Sequence, residues 1–322
     1  MPALSVVTAT FNRAARLERL LEALSRQSLT ELEVIVVDDR STDGTWDLLQ
    51  ASARRYGWLR PLQMPQNGGP ARARNVGWQA TRSPFIAFTD DDCVPDPEWA
   101  QCILAAFSDP AVGLVQGRTV PDPLPYRWRL PFDHSVRVDA QSAMFETCNL
   151  GVRRDLLQAL GGFDESFPFA FGEDADFGWR ALERGAGVAW LPDAVVTHDL
   201  VRRGFRDQLR GERRRISLVT VVRKHPGLRG HITHRYFYDP THERLLLSYL
   251  LAGSLVLKPM SVLRWAALAG SVTWYGRLRF VWSITQGPRK KWPLWMIQLF
   301  ILDTVDMARL MRQSAREKTL VI

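Results

Sequence analysis

Residues 4–10 (LSVVTAT) and 33–37 (EVIVV) are short runs of apolar and β-branched positions bounded by polar ones. That is the pattern of strands buried on both faces in a parallel sheet. Between them Leu17, Leu20, Leu21 and Leu24 recur at helical spacing, which predicts a strand–helix–strand unit. The alternation continues with a helix through Trp46, Leu48 and Leu49 and a strand over 59–62. Pro70, behind Gly68-Gly69, suits the first turn of a helix running to Ala80, and 85–88 (FIAF) is the next strand. Asp96-Pro97-Glu98 predicts the capped start of a helix through Phe107. Further on, Phe177, Ala181 and Leu182 stripe a helix opened by Glu173-Asp174-Ala175-Asp176 and ended by Gly185, and 187–191 (GVAWL) reads as another strand. An open α/β sheet is expected, with ligands at the carboxyl ends of its strands.

That rule places the acidic clusters. Asp38-Asp39 directly follow one predicted strand and Asp90-Asp91-Asp92 another, so both fall on the ligand edge. Three adjacent carboxylates repel one another, and keeping them ionised needs a cation or well-placed donors. Hard cations such as Mg²⁺ and Mn²⁺ prefer carboxylate oxygen. Turn chemistry is the alternative, since Ser41-Thr42-Asp43-Gly44 behind Asp38-Asp39 is ordinary turn composition. Glu173, Asp174 and Asp176 likewise have a plain explanation, acids stabilised by the dipole of the helix they open. A lone His198 after Pro192-Asp193 is more often structural than a ligand.

Charge adds a division. Residues 1–200 hold 19 Arg against 27 acids, whereas 201–322 hold 23 basic residues against 7 acids. An acidic half managing ions or polar ligands, and a basic half facing a polyanion, is the reading of such asymmetry. The three cysteines, Cys93, Cys102 and Cys148, make neither a disulfide framework nor a zinc pattern, and the opening residues have no basic stretch before an apolar one. A cytoplasmic, reducing location is expected. With a mean hydropathy of −0.15, the composition argues against a polytopic membrane protein. No Gly-x-Gly-x-x-Gly after a strand, no Gly-Lys-[Ser/Thr] and no His-Glu-x-x-His occurs, so dehydrogenase, P-loop and zincin readings lack support. A nucleotidyltransferase would want a glycine-rich basic loop where Phe11-Asn12-Arg13 stands.

Four segments in order resemble glycosyltransferase family 2, the inverting group with the GT-A fold. They are Thr10-Phe11-Asn12-Arg13; Val36-Val37-Asp38-Asp39 with Arg40-Ser41-Thr42-Asp43-Gly44-Thr45; Asn67-Gly68-Gly69-Pro70-Ala71-Arg72-Ala73-Arg74-Asn75 leading to Asp90-Asp91-Asp92; and Gly161-Gly162-Phe163-Asp164-Glu165 followed by Glu173-Asp174. The resemblance covers residues 4–198. It implies an α/β fold of GT-A type, an open mixed, mostly parallel sheet flanked by helices with a helical carboxyl-terminal extension. The catalytic domain would be 1–200, its nucleotide part about 1–120 and its acceptor part about 121–200. By resemblance Thr10 and Phe11 lie at the nucleotide, Phe11 stacking near the base and Asp39 accepting a hydrogen bond from it. Arg72 or Arg74 lies near the nucleotide, Asp90 reaches the ribose with Asp91 beside it, and Asp92 holds Mn²⁺ or Mg²⁺ against the diphosphate. His198 stands where some members supply a further metal ligand, and Asp174 resembles the catalytic base, with Glu173 beside it. The implied partners are a nucleotide-sugar donor, a UDP-sugar first, and a glycan or lipid-linked acceptor in cell-surface polysaccharide synthesis.

The carboxyl-terminal region 201–322 reads as basic, aromatic-rich and helical. Residues 202–224 carry nine basic residues among Phe205, Leu209, Ile216, Val219 and Val222, predicting one amphipathic helix. The apolar run 245–257 is stopped by Lys258-Pro259, and 292–302 is shorter still. Each falls short of the ~20 residues a membrane-spanning helix needs. Trp265, Trp274, Trp282, Trp292 and Trp295 are interleaved with Arg and Lys, a mixture suited to a headgroup layer. A peripheral or monotopic attachment to the anionic cytoplasmic face of the inner membrane is expected, against two alternatives, packing or oligomerisation through these helices and a span. Nucleic acid is not expected as a partner, because the basic residues accompany long apolar runs. The family's processive synthases carry Gln-x-x-Arg-Trp. Gln208-Leu209-Arg210-Gly211 departs from it, which points to transfer of one or a few sugars.

Overall fold

The computed structural model describes residues 1–123, 130–257, 262–282 and 291–322. The expected stop at Lys258-Pro259 and residues 124–129 of the expected acceptor part lie outside the described residues. The chain divides into two compact units, one of residues 1–123 and 135–200, the other of 124–134 and 201–322.

In the first unit β1 (Leu4–Thr10), β2 (Leu32–Asp38), β3 (Leu59–Gln63) and β4 (Phe85–Phe88) pair in parallel, joined through α1 (Ala14–Leu24), α2 (Thr45–Arg55) and α3 (Pro70–Ala80). Alternate side chains of the central strands feed opposite faces. Val6, Val34 and Val36 meet Leu17, Leu20, Leu21 and Leu24 of α1 on one side, and on the other Ile35 and Val37 meet Ala73 of α3, while Val7 meets Ala71 and Trp78. Burial on both faces is why the strands read as continuous apolar runs, and each fully buried leucine contributes about 1.5–3 kcal/mol.

Beyond β4 the sheet becomes mixed. The elements are β5 (Cys93–Pro95), α4 (Trp99–Ala106), β6 (Val112–Pro121), β7 (Leu150–Arg153), α5 (Arg154–Leu160), α6 (Glu173–Glu183) and β8 (Gly187–His198). Among the described residues the strand order is β3-β2-β1-β4-β7-β6-β8-β5, with β7 antiparallel to both neighbours, β6 parallel to β8 and β5 antiparallel to β8. This is the expected open, mixed α/β sheet flanked by helices. The α4 helix starts where its sequence predicts, but without a side-chain cap; Glu98 instead accepts a hydrogen bond from Ser28.

The second unit is helical. The single amphipathic helix expected over 202–224 is instead α7 (Phe205–Gly211), a 3₁₀ stretch over Glu212–Ile216 and α8 (Ser217–Lys224). The break follows from Glu212 and Arg215 turning inward: Arg215 pairs with Glu212 and reaches Asp306 at 2.9 Å, so its charge faces the interior instead of a cationic stripe. Then come α9 (Pro240–Leu257), α10 (Val262–Trp282) and α11 (Trp292–Glu317), the last far longer than its apolar start. No helix among the described residues is long and apolar enough to cross a membrane.

This unit buries apolar side chains, Leu218, Val219, Val221, Leu245 and Leu310 among them, together with charged ones. Asp303, Asp306 and His242 are buried, with Tyr275 and Arg279 bound to Asp303. Leu250, Leu263 and Trp265 are 64%, 83% and 56% exposed, and Trp274, Leu294 and Ile297 are exposed as well.

Candidate active site

The site forms where the carboxyl ends of β1, β2 and β4 meet the amino end of α6. Thr10 ends β1 and donates to Asp91 at 2.7 Å. Phe11 follows, 44% exposed, a free aromatic face beside the loop. Asn12 adopts φ +55° and its Oδ1 accepts the amides of Thr42 and Asp43, tying this loop to the one after β2. Asp38 is wholly buried and accepts from Ser41 and Gln63. Asp39 grips the neighbouring loop: its two oxygens accept the Gly68 and Gly69 amides at 2.7 and 2.8 Å. Burial nonetheless holds its carboxyl above the usual range.

The Asp90–Asp92 run sends each carboxylate to a different partner. Asp90 pairs with Arg74 at 3.1 Å. Asp91 is pushed up to about 7 by burial and then by Asp92 beside it, while the Thr10 hydroxyl it accepts works the other way. Asp92 faces His198 Nε2 at 3.5 Å and the guanidinium of Arg13 at 3.0 Å. His198 arrives there through strand register, since β5 sets Cys93 opposite His198. Ligand atoms of Asp92, Cys93 and His198 lie within 4.8 Å of one another. The carboxylate oxygen suits Mn²⁺ or Mg²⁺. Burial drives the Cys93 thiol well above its ordinary range, so it stays a neutral neighbour.

Arg74 joins the two acidic clusters. Nine-tenths buried, it reaches Asp90, Glu173 at 3.0 Å and Asp174 at 3.3 Å. Arg72, two residues away, points to the surface, 3.9 Å from Glu165. The pattern left both arginines open, and burial separates them. Among the three acids in the first turn of α6, Asp174 is the accessible one. Its Oδ2 accepts the Thr147 amide and hydroxyl at 3.1 and 3.0 Å, and burial raises its proton affinity. Glu173 is buried with Oε2 unpartnered, and burial together with Asp174 pushes it up. Asp176 faces the interior, bound by Arg180, which also donates to the Leu160 and Gly162 carbonyls. Asp176 therefore serves the fold. Thr147 had no signal in the sequence: it lies in a 3₁₀ turn before β7, 27 residues from the carboxylate it holds.

Comparison with known proteins follows this geometry. The family model described as glycosyl transferase family 2 matches residues 5–163, and that of glycosyl transferase family group 2 matches 85–302. A pre-mycofactocin glycosyltransferase of Mycobacterium tuberculosis is 35% identical over 61% of this chain and 42% of its own length. A validoxylamine A glucosyltransferase of Streptomyces hygroscopicus is 31% identical over 71% of this chain and 62% of its own. The chain thus spans less than two thirds of either relative. Among solved structures, a mannosyltransferase from Pyrobaculum calidifontis in complex with GDP-Man and Mn²⁺ superposes with a TM-score of 0.57 at 20% identity, covering 98% of this chain and 87% of that one. Residues 1–349 of S. aureus TarS superpose at 0.52 and 19% identity, covering 98% and 92%. The shared architecture is the GT-A fold.

Proposed function

The chain belongs to glycosyltransferase family 2, and on that premise we propose that it is a metal-dependent inverting glycosyltransferase. It moves a sugar from a nucleotide-sugar donor, a UDP-sugar, to a hydroxyl of a glycan or lipid-linked acceptor in cell-surface polysaccharide synthesis. The observation that carries this reading is Arg74. One buried cation holds Asp90, from the donor cluster, and Asp174, from the acceptor cluster, at 3.1 and 3.3 Å. Separate carboxylates are thereby available for binding and for proton removal, which one group could not do together.

Phe11 stacks against the base, which Asp39 accepts from, and Asp90 takes the ribose. Asp92 and His198 would hold Mn²⁺ or Mg²⁺, whose charge would offset that of the departing diphosphate. Asp174 takes the acceptor hydroxyl's proton; Thr147 fixes its Oδ2 and Arg74 its Oδ1, so the carboxylate keeps one orientation. Burial raises the proton affinity of Asp174, Arg74 lowers it and the Asp90 charge raises it again. The Mn²⁺ and GDP-Man complex of a neighbour, and a UDP complex of TarS, support a nucleotide-sugar donor with a metal.

The exposed large apolar side chains of the second unit support attachment to an anionic lipid surface at the cytoplasmic face of the inner membrane. Exposed Leu263 and Trp265 suit the acyl boundary, and the excess of Arg and Lys after residue 200 suits anionic headgroups.

Calorimetric titration of UDP, GDP and dTDP, with Mn²⁺ and with chelator, tests the donor reading. One nucleotide is expected to bind only with Mn²⁺, and not to Asp92→Ala. Binding of none, or binding indifferent to both metal and Asp92, would overturn it.

A further inference from the structure

On the proposed metal-binding role of Asp92, we infer that Arg13 is an exchangeable counter-ion that occupies Asp92 without metal and leaves it for the donor's diphosphate. The inference starts from three arginines on one face of α1 and its lead-in. Arg13 and Arg16 approach Asp92 Oδ2 at 3.0 and 3.7 Å, Arg16 also holds Asp199 at 3.0 Å, and Arg19 spans Asp199 and Asp122 at 3.4 and 2.8 Å. The spacing of three puts them on one helical side. Their partners come from the β4–β5 turn and from the ends of β8 and β6, locked together by the Asp199 amide on the Asp92 carbonyl and the Asp122 amide on the His198 carbonyl, both 2.8 Å. Side chains of Arg16, Arg19, Asp92, Cys93, Val94 and Asp199 close the crevice beneath, which has no water-sized space.

The three arginines are not equivalent. Arg16 and Arg19 each have a second carboxylate, whereas Asp92 is the one carboxylate within 4.0 Å of Arg13 among the described residues. Arg13 is also 38% exposed and stands two residues after Phe11. His198 Nε2 faces Asp92 Oδ1 at 3.5 Å, and a divalent cation held there would sit about 2–2.6 Å from Oδ1, on the same carboxylate whose Oδ2 Arg13 now contacts. Like charges that close repel, so Arg13 leaves while Arg16 stays on Asp199. The freed guanidinium carries a planar donor fork matched to phosphate oxygens. Metal and diphosphate therefore bind synergistically: each removes the cost the other meets.

The test measures Mn²⁺ affinity by electron paramagnetic resonance on the full chain, alone and with saturating UDP or GDP, for wild type, Arg13→Gln, Arg13→Lys and Asp92→Asn. Arg13→Gln is expected to bind Mn²⁺ alone about tenfold more tightly than wild type, the equivalent of ~1.4 kcal/mol, and to lose most of the gain that the nucleotide confers. Arg13→Lys, which keeps the charge, is expected to bind Mn²⁺ alone as weakly as wild type. Equal or weaker Mn²⁺ binding by Arg13→Gln, with Asp92→Asn binding none, would overturn the exchange while leaving the metal role of Asp92 standing. Unchanged Mn²⁺ binding by Asp92→Asn would remove that role and the exchange with it. Thermal melts of each variant separate these outcomes from misfolding.

Discussion

At the scale of single residues, the acids of this site differ by what faces each oxygen. Asp174 has both oxygens oriented and remains partly accessible, so Asp174→Asn should keep nucleotide binding while turnover falls by roughly 10²–10⁴-fold, read from titration beside steady-state rates. Full activity would remove it as the base. Glu173 carries a proton in the folded chain up to about 8, held there first by burial and then by Asp174. The unfolded chain releases that proton at ordinary carboxyl values. Its contribution to stability is therefore fully present below the unfolded pKa and is lost as pH rises towards about 8. Urea melts from pH 5 to 8 should show that decline, and Glu173→Gln should flatten it. Arg74→Met leaves Glu173 and Asp174 without their shared cation, and removing one partner of a buried pair costs about 3–5 kcal/mol. Denaturant midpoints measure that loss.

At the scale of elements, what the sequence disclosed and what it withheld have a common cause. Elements made by local periodicity, β1, β2 and α1 above all, are readable because the central strands are apolar on both faces and the helix shows its stripe. β7 is a four-residue strand with Gly151 inside it, and β5 has three residues; neither is long enough to show a period. They exist because their neighbours supply the hydrogen bonds. The acidic motifs were readable as types and places, but the roles of Arg74, Thr147 and Arg13 depend on contacts 16 to 100 residues apart in the chain. The helix expected over 202–224 failed for a similar reason, since Arg215 answers to Asp306. The turn between α5 and α6 gives this scale its prediction. Gly162 has φ +76°, and a Cβ there would lie 2.3 Å from Asn75 Oδ1, which accepts the Phe163 amide. Gly162→Ala should destabilise by more than 1 kcal/mol, roughly the cost of a strained φ before any clash, and should loosen α3 from this turn. Hydrogen exchange at the Phe163 amide reports it.

At the scale of the whole molecule, both units bury valines, leucines and some acids, and the large exposed apolar side chains fall mostly in the second, Leu263 and Trp265 among them. Leu263→Glu with Trp265→Glu should leave the melting temperature close to wild type, because both side chains are largely exposed, yet reduce sedimentation with phosphatidylglycerol vesicles at least tenfold, about 1.4 kcal/mol. Raising salt should weaken binding of both proteins, as the headgroup attraction is screened. Undiminished sedimentation of the double variant would remove this face as the attachment surface.

Arg74 also sets an order of events during synthesis. The ribosome delivers Arg74 and Asp90 close together, but Glu173 and Asp174 emerge about 85 residues later, several seconds at ordinary elongation rates. Until then Asp90 is the one of its three carboxylate partners that Arg74 can meet, and Asp92 lacks His198. On the proposed reading, the donor-side carboxylates are therefore made before the base, and the tie through Arg74 closes only when α6 arrives.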